Sequence, residues 1–206
     1  MVPEFADPLL EDDVRPSPFD QFERWFQQAE ENGIRAPEAA VVATATPDGV
    51  PSARLVLVKV RSEGGFVFFS NYESRKGREL ALNPRAALVF DWDALGRQVR
   101  VEGRVERTSA AESAAYARSR PRGSQLSALA SPQSEVIDGR DALERRVSEL
   151  ADHYQDTALP EPEHWGGFRL LPDVFEFWQH REDRLHDRLR YTRQRDNLWL
   201  LERLAP

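Results

Sequence analysis

Five residues, Pro47-Asp48-Gly49-Val50-Pro51, separate two runs rich in β-branched side chains, Ala39 to Thr46 and Ser52 to Val60. Proline presets one turn dihedral, glycine admits a left-handed one and aspartate bonds its own backbone, so this punctuation predicts an antiparallel hairpin. A second turn at Ser62-Glu63-Gly64-Gly65 leads into Phe66 to Ser70. Further strands are predicted over Ala86 to Asp91, Gln98 to Arg107, Gly167 to Leu171, Val174 to Gln179, Arg184 to Tyr191 and Leu198 to Arg203. Helices interrupt these strands without alternating with them. One starts at Ser17-Pro18 and stops near Asn32-Gly33, one covers Ser74 to Leu82, one follows the capping-box pair Ser109 and Glu112 to Arg118, and one covers Asp141 to Tyr154. That order predicts a mainly β, α+β chain: an antiparallel barrel decorated with helices rather than a doubly wound sheet. Residues 17–206 read as one domain, and the acidic, proline-bearing residues 1–16 as a flexible arm.

Charge and composition narrow the chemistry. The formal net charge of -7 argues against a nucleic-acid binder, which carries a broad basic face. With no cysteine there is no disulfide, thiolate metal site or cysteine nucleophile. The four histidines, His153, His164, His180 and His186, form no helical metal-binding pair. No apolar run reaches the length of a membrane span and the amino terminus lacks signal-peptide character, so a cytoplasmic protein is expected. Of 28 basic residues only Lys59 and Lys76 are lysines, which draws attention to their surroundings.

Three clusters could bind anions. In Asn71-Tyr72-Glu73-Ser74-Arg75-Lys76-Gly77-Arg78 a strand hands over to a helix, so a capping serine, the positive end of the helix dipole and two cations coincide. The alternative is an exposed basic helix start balanced by Glu73 and Glu79. In Tyr116 to Gln125, Tyr116 and Arg120 lie one helical spacing apart, and Arg120 and Ser124 share a face if helix resumes after Pro121; a solvated arginine-rich loop is the other reading. In Arg184-Leu185-His186-Asp187-Arg188 an extended chain would put Arg184, His186 and Arg188 on one side, with two permanent cations flanking an imidazole. Arg54 and Lys59 bracket a strand at an odd separation, so one ligand meets both only across a bulge or around the strand edge.

Taken in order, Arg54 to Lys59, Ser74-Arg75-Lys76, Arg97-Gln98-Val99, Ser119-Arg120-Pro121-Arg122, Gln133-Ser134, Trp165-Gly166-Gly167, Phe177-Trp178-Gln179, Arg184 to Arg188 and Arg203-Leu204-Ala205-Pro206 resemble the pyridoxamine 5'-phosphate oxidase family over roughly residues 17–206. The resemblance implies an FMN-binding split antiparallel β-barrel, homodimeric, with FMN at the subunit interface. It implies FMN contacts by Arg54, Val56, Phe69, Ser70, Arg75, Lys76, Gln98, Gln133, Ser134, Trp178 and Arg188. Substrate phosphate would meet Lys59, Tyr116, Arg120 and Ser124, while Arg184 and His186 would be the catalytic pair covering the pyridine ring. The implied reaction oxidises pyridoxamine or pyridoxine 5'-phosphate to pyridoxal 5'-phosphate with O2 as acceptor, releasing hydrogen peroxide, and ammonia from the amine. No metal, nucleic acid or membrane partner is implied.

Departures from the family pattern bear on the substrate. The amino-terminal arm lacks the Arg and Tyr that commonly close over substrate, Ser127-Ala128-Leu129-Ala130 lacks a customary tryptophan, and His180-Arg181 replaces a commonly glycine-containing turn. Two alternatives follow: an oxidase acting on a reduced phenazine-type ring, or a non-catalytic FMN-binding protein. Lys59, Tyr116, Arg120 and Ser124 favour the phosphorylated pyridine, because a phenazine precursor has no phosphate for them to hold.

Overall fold

The computed structural model describes residues 7–155 and 157–206. The hairpin forms as predicted: β1 (Ala39–Ala45) pairs antiparallel with β2 (Pro51–Ser62), which pairs with β3 (Gly65–Asn71). β4 (Arg85–Trp92), β5 (Arg97–Arg107) and β6 (Trp165–Gln179) continue the sheet, whose order is β3-β2-β1-β4-β5-β6-β7-β8. A further pairing of β3 with the first half of β6 closes six of these strands into a barrel, the α+β split barrel. The second half of β6 leaves that seam and carries β7 (Asp187–Arg193) and β8 (Trp199–Arg203) as an extension.

The sequence broke β6 in two at Pro172-Asp173, yet it runs as one strand. A register shift between Glu102 and Gly103 absorbs the irregularity, with Pro172 opposite Gly103. A side chain at Gly103 would place a Cβ 2.0 Å from the Leu171 carbonyl oxygen, so glycine is what permits the crossing.

The helix α1 (Pro18–Glu31) is capped by the Ser17 side chain, which accepts from the Asp20 amide, and Pro18 stands at the helix start. Its buried Phe22, Trp25, Phe26 and Ala29 face the barrel. There Phe22 meets Phe66 and Phe90 edge-on with centroids 5.0 and 4.9 Å apart, and Trp25 meets Phe177 at 5.3 Å. Each fully buried aromatic of this kind contributes on the order of 2–3 kcal/mol of transfer free energy, so α1 is part of the core. The helix α2 (Arg75–Leu82) joins β3 to β4. Next, α3 (Ala110–Ser119) begins with both bonds of the predicted capping box, and α4 (Arg122–Ala130) and α5 (Arg140–His153) follow.

The arm expected over residues 1–16 is described from Asp7 onward; residues 1–6 lie outside the described residues. From Asp7 the chain is tied to the fold. Leu9 is buried, the Gln179 side-chain amide donates to the Asp7 carbonyl at 2.6 Å, and Glu11 pairs with Arg203 at 2.8 Å. No helix among the described residues is long and apolar enough to cross a membrane.

Candidate active site

The first cluster forms where β3 ends. Ser74 caps α2, its Oγ accepting from the Gly77 amide at 3.3 Å and donating to the Asn71 carbonyl at 2.7 Å. A Cβ on Gly77 would lie 2.0 Å from the Tyr72 carbonyl oxygen, so only glycine lets the helix turn this closely under the strand. One residue earlier stands Lys76, only 7% exposed. Its ammonium donates to Ser70 Oγ at 2.8 Å, Gln133 Oε1 at 2.9 Å and Ser74 Oγ at 3.3 Å. Among the described residues no carboxylate pairs with it. Burial, reinforced by the charge of Arg54, lowers its pKa to about 8.

Glu79 is the residue that the sequence reading misplaced: it is buried, not a counter-charge on an exposed helix start. Its carboxylate accepts from Thr44 Oγ1 at 2.5 Å, Ser52 Oγ at 2.6 Å and Arg75 Nε at 2.9 Å, and lies 3.5 Å from Arg54. Burial pushes that carboxyl up, but the two hydroxyls, Arg75 and Arg54 outweigh it and hold it at about 2. The signal for this contact was the spacing of four between Arg75 and Glu79. Val56 shares the inward face of β2 with Arg54. The loop bearing Gln133 and Ser134 is latched to the same helix, since Arg78 pairs with Glu135 at 2.7 Å and Asn71 Nδ2 donates to the Ser131 carbonyl. Arg54, Ser70, Arg75, Lys76 and Gln133, dispersed over 80 residues of sequence, thus share one cradle of three cations, two of which meet the Glu79 carboxylate.

Beside it stands an aromatic stack. Phe69 lies 3.8 Å from Tyr116 at 17°, Trp165 lies parallel to Tyr116 at 6.1 Å, and the Arg120 guanidinium sits over the Trp165 ring at 4.6 Å. Burial lowers the Arg120 pKa. Helix does resume at Arg122, which leaves Ser124 half-buried in the first turn of α4. Lys59 stands apart, paired with Glu38 at 3.1 Å on the neighbouring surface. It occupies a register shift between Val58 and Val60, a bulge of the kind that is one of the two ways a single ligand could meet both Lys59 and Arg54. No hydrogen bond or ion pair among the described residues joins it to Tyr116, Arg120 or Ser124.

The third cluster departs from the extended reading. Asp183 and Arg184 have φ of 52° and 60°, in the left-handed region, and β7 starts only at Asp187. Strand alternation therefore does not align Arg184 with His186 and Arg188. A turn does the work instead: the Arg181 amide donates to His186 Nδ1 at 3.1 Å, and the His186 ring lies 4.6 Å from Trp178 and 5.2 Å from His180. Trp178 is in register with Gln98 on one side and Arg188 on the other, so these three share a sheet face. Arg188 pairs with the buried Glu176 at 2.9 Å and donates to the Ala205 carbonyl. Burial, then the charges of His180 and Arg184, lower the His186 pKa. Because Nδ1 accepts a backbone N–H, the imidazole is neutral with its proton on Nε2, a donor.

Among the described residues no hydrogen bond, ion pair or ring contact joins this turn to the cradle or the stack. Residues 26–154 match the family model described as pyridoxamine 5'-phosphate oxidase. The chain belongs to the pyridoxamine 5'-phosphate oxidase family. Residues 165–206 of this family member match the pyridoxine 5'-phosphate oxidase C-terminal dimerisation region, which includes Trp178, Arg184, His186 and Arg188. It is 54% identical over 198 residues to the pyridoxine/pyridoxamine 5'-phosphate oxidase of Nostoc sp. strain PCC 7120, covering 96% of this chain and 92% of that relative. The like-named protein of Burkholderia vietnamiensis strain G4 is 54% identical over 200 residues, covering 96% and 93%. Among solved structures, PhzG from Burkholderia lata 383, in complex with tetrahydrophenazine-1-carboxylic acid, superposes with a TM-score of 0.90 at 33% identity over 98% of this chain and 99% of that one. A pyridoxamine 5'-phosphate oxidase-related, FMN-binding protein from Nostoc punctiforme shares the fold, with a TM-score of 0.71 at 17% identity over 92% of this chain and 98% of that one.

Proposed function

We propose that this chain is an FMN-dependent oxidase of pyridoxamine 5'-phosphate and pyridoxine 5'-phosphate. It works as a homodimer of FMN-binding split-barrel domains, each spanning residues 17–206. The observation that carries the reading is the buried ammonium of Lys76, which has neutral partners alone among the described residues. A buried charge without a counter-ion is costly, and a phosphate dianion at the start of α2 supplies what is missing. The cradle fits that group: three cations against Glu79 leave two positive charges for two negative ones. Membership of the pyridoxamine 5'-phosphate oxidase family, whose ordered motifs imply FMN, supports FMN as its bearer.

Arg54, Arg75, Lys76, Ser70, Gln133 and Ser134 bind the phosphate and ribityl end, with Val56 and Phe69 beside them. Gln98, Trp178 and Arg188 come from the other half-site, which belongs to the partner subunit and brings Arg184 and His186 with it. That assignment explains why two clusters stand apart on one chain, one of them inside a dimerisation region. The exposed Leu55, Leu57 and Val60 on the outer face of β2 supply apolar surface for such an association.

The substrate's phosphate is taken by Tyr116, Arg120, Ser124 and Lys59, which leaves its pair with Glu38 to do so. Arg184 clamps the ring, and His186 donates from Nε2 to fix its orientation. The chemistry supplied by bound FMN is hydride acceptance from the C4' carbon and electron delivery to dioxygen. Pyridoxamine 5'-phosphate, dioxygen and water give pyridoxal 5'-phosphate, ammonia and hydrogen peroxide; pyridoxine 5'-phosphate and dioxygen give the same aldehyde and peroxide.

The likeness to PhzG favours a second reading, oxidation of a reduced tricyclic acid. Tyr116 and Arg120 count against it, because that ligand offers them no phosphate. Incubating the FMN-loaded protein in air with each of the two vitamer phosphates and with a reduced phenazine acid tests both readings. Aldehyde and peroxide from the vitamer phosphates alone are expected; peroxide from the tricyclic acid alone would transfer the assignment, and no turnover of any would leave an FMN carrier. Arg184→Ala and His186→Ala are expected to lower turnover at least about tenfold with FMN still bound, and unchanged turnover in both would remove these residues from the site.

A further inference from the structure

Asp183 and Arg184 both occupy the left-handed region, which side chains with a Cβ avoid, and two in succession persist only where the surroundings over-determine them. Close to them in sequence stands the carboxylate of Asp187, 14% exposed at the mouth of β7. Its Oδ2 accepts from the Leu9 amide at 3.1 Å and lies 3.3 Å from Arg181 Nε, while Oδ1 accepts from Arg203 at 2.8 Å. Arg203 in turn donates to the Leu9 carbonyl at 2.7 Å and to both carboxylate oxygens of Glu11, at 2.9 and 2.8 Å. The residue gripped at the far end of the turn, Arg181, is the one whose amide holds His186 Nδ1. Asp187 therefore ties together both ends of the turn, the last strand and the segment after residue 6.

We propose that Asp187 is a positioning residue for the reaction: through Arg181 and Arg203 it locks the strained turn so that Arg184 faces the substrate and His186 keeps its proton on Nε2. It touches neither substrate nor cofactor. The inference rests on the reading of Arg184 and His186 given above. The docked segment from Leu9 to Glu11 is part of the lock, so its seating and the geometry of the turn rise and fall together.

The test uses Asp187→Asn, which keeps the shape and removes the charge, in the FMN-loaded enzyme and in the apoprotein. The rate of flavin bleaching by pyridoxine 5'-phosphate without oxygen is expected to fall about tenfold or more, as loss of orientation does. Reoxidation by dioxygen is expected to change less than about twofold, and the FMN dissociation constant less than about threefold, because the cradle is untouched. In the apoprotein, hydrogen exchange at the Arg181 amide is expected to accelerate at least about tenfold, since its acceptor is released. Arg203→Met, which leaves Asp187 in place, should move bleaching and exchange in the same direction by about threefold and serves where the asparagine variant does not fold. Unchanged bleaching in the variant that folds overturns the proposal, as does slower bleaching matched by an equal loss of FMN affinity or of reoxidation. If Arg184→Ala and His186→Ala leave bleaching unchanged, the underlying site reading fails; if they slow it while Asp187→Asn does not, only the role of Asp187 fails.

Discussion

The cradle around Lys76 and the turn around His186 solve opposite problems. In the cradle, regular elements bring buried charges together: β1, β2 and α2 converge on Glu79, and the cost lies in a cation with no counter-ion among the described residues. At the turn the Asp187 carboxylate is paired with Arg181 and Arg203, and the cost lies in the backbone, in two successive left-handed residues. The first arrangement suits a permanent ligand, which supplies the missing charge. The second suits a contact that must be held in one orientation while substrates come and go.

Subunit complementation breaks or upholds this division most sharply. Lys76→Met disables the cradle half and His186→Ala the turn half, and each alone is expected to be nearly inactive. Co-expressed, the two chains should regain about a quarter of wild-type turnover, because half the dimers are mixed and each mixed dimer has one intact composite site. Failure to regain activity would place both halves of a site on the same chain.

Next in size is Lys76→Met by itself. Losing a charge-assisted contact to phosphate costs about 1.5–3 kcal/mol, so FMN should bind about 10–100-fold more weakly in a fluorescence titration. The apoprotein should melt at the same or a higher temperature, because a buried unpaired charge has gone. A marked drop in melting temperature would mean that Lys76 serves the fold rather than a ligand.

These expectations separate what was legible in the sequence from what was not. The hairpin, the capped starts of α1, α2 and α3 and the crowding of Ser74, Arg75 and Lys76 are local matters, written in turn and cap residues a few positions apart. Glu79 escaped because its burial depends on Thr44 and Ser52, which reach it only through the pairing of β1 with β2. The extended reading of Arg184 failed for a related reason. Nothing within five residues announces a left-handed pair when the anchors, Leu9 and Arg203, lie at the two ends of the chain. Trp165 was read only as one of the family matches, and its place beside Tyr116 and Arg120 follows from barrel closure between β3 and β6.

A smaller effect is expected from pH. The pKa of Lys76 lies at about 8 in the folded apoprotein against an ordinary value of 10.5, so its charge is lost as pH rises through 8. FMN affinity should therefore weaken above pH 8, by as much as about tenfold per unit until the pKa of the complex is reached. The stability sign is the reverse. The unfolded chain binds the extra proton between the two values, so this group's destabilising contribution is complete below pH 8 and is relieved as pH rises towards 10.5. Affinity that is flat from pH 7 to 10 would contradict the assignment.

Smallest is Asp183→Gly. Glycine accepts the left-handed dihedral without a Cβ penalty of about 1–2 kcal/mol but gives back roughly half of that in unfolded-chain entropy. A net gain of about 0.5–1 kcal/mol in denaturant unfolding is expected, with FMN affinity unchanged. Destabilisation would show that the turn carries no strain.

The comparison of FMN with riboflavin tests the central claim most directly, because the two differ only in the phosphate. Titrated into wild-type apoprotein, FMN is expected to bind at least about 100-fold more tightly than riboflavin, and Lys76→Met should erase most of that preference while leaving riboflavin affinity unchanged. Equal affinity for the two in the wild type, or a preference that survives the loss of Lys76, would contradict the account.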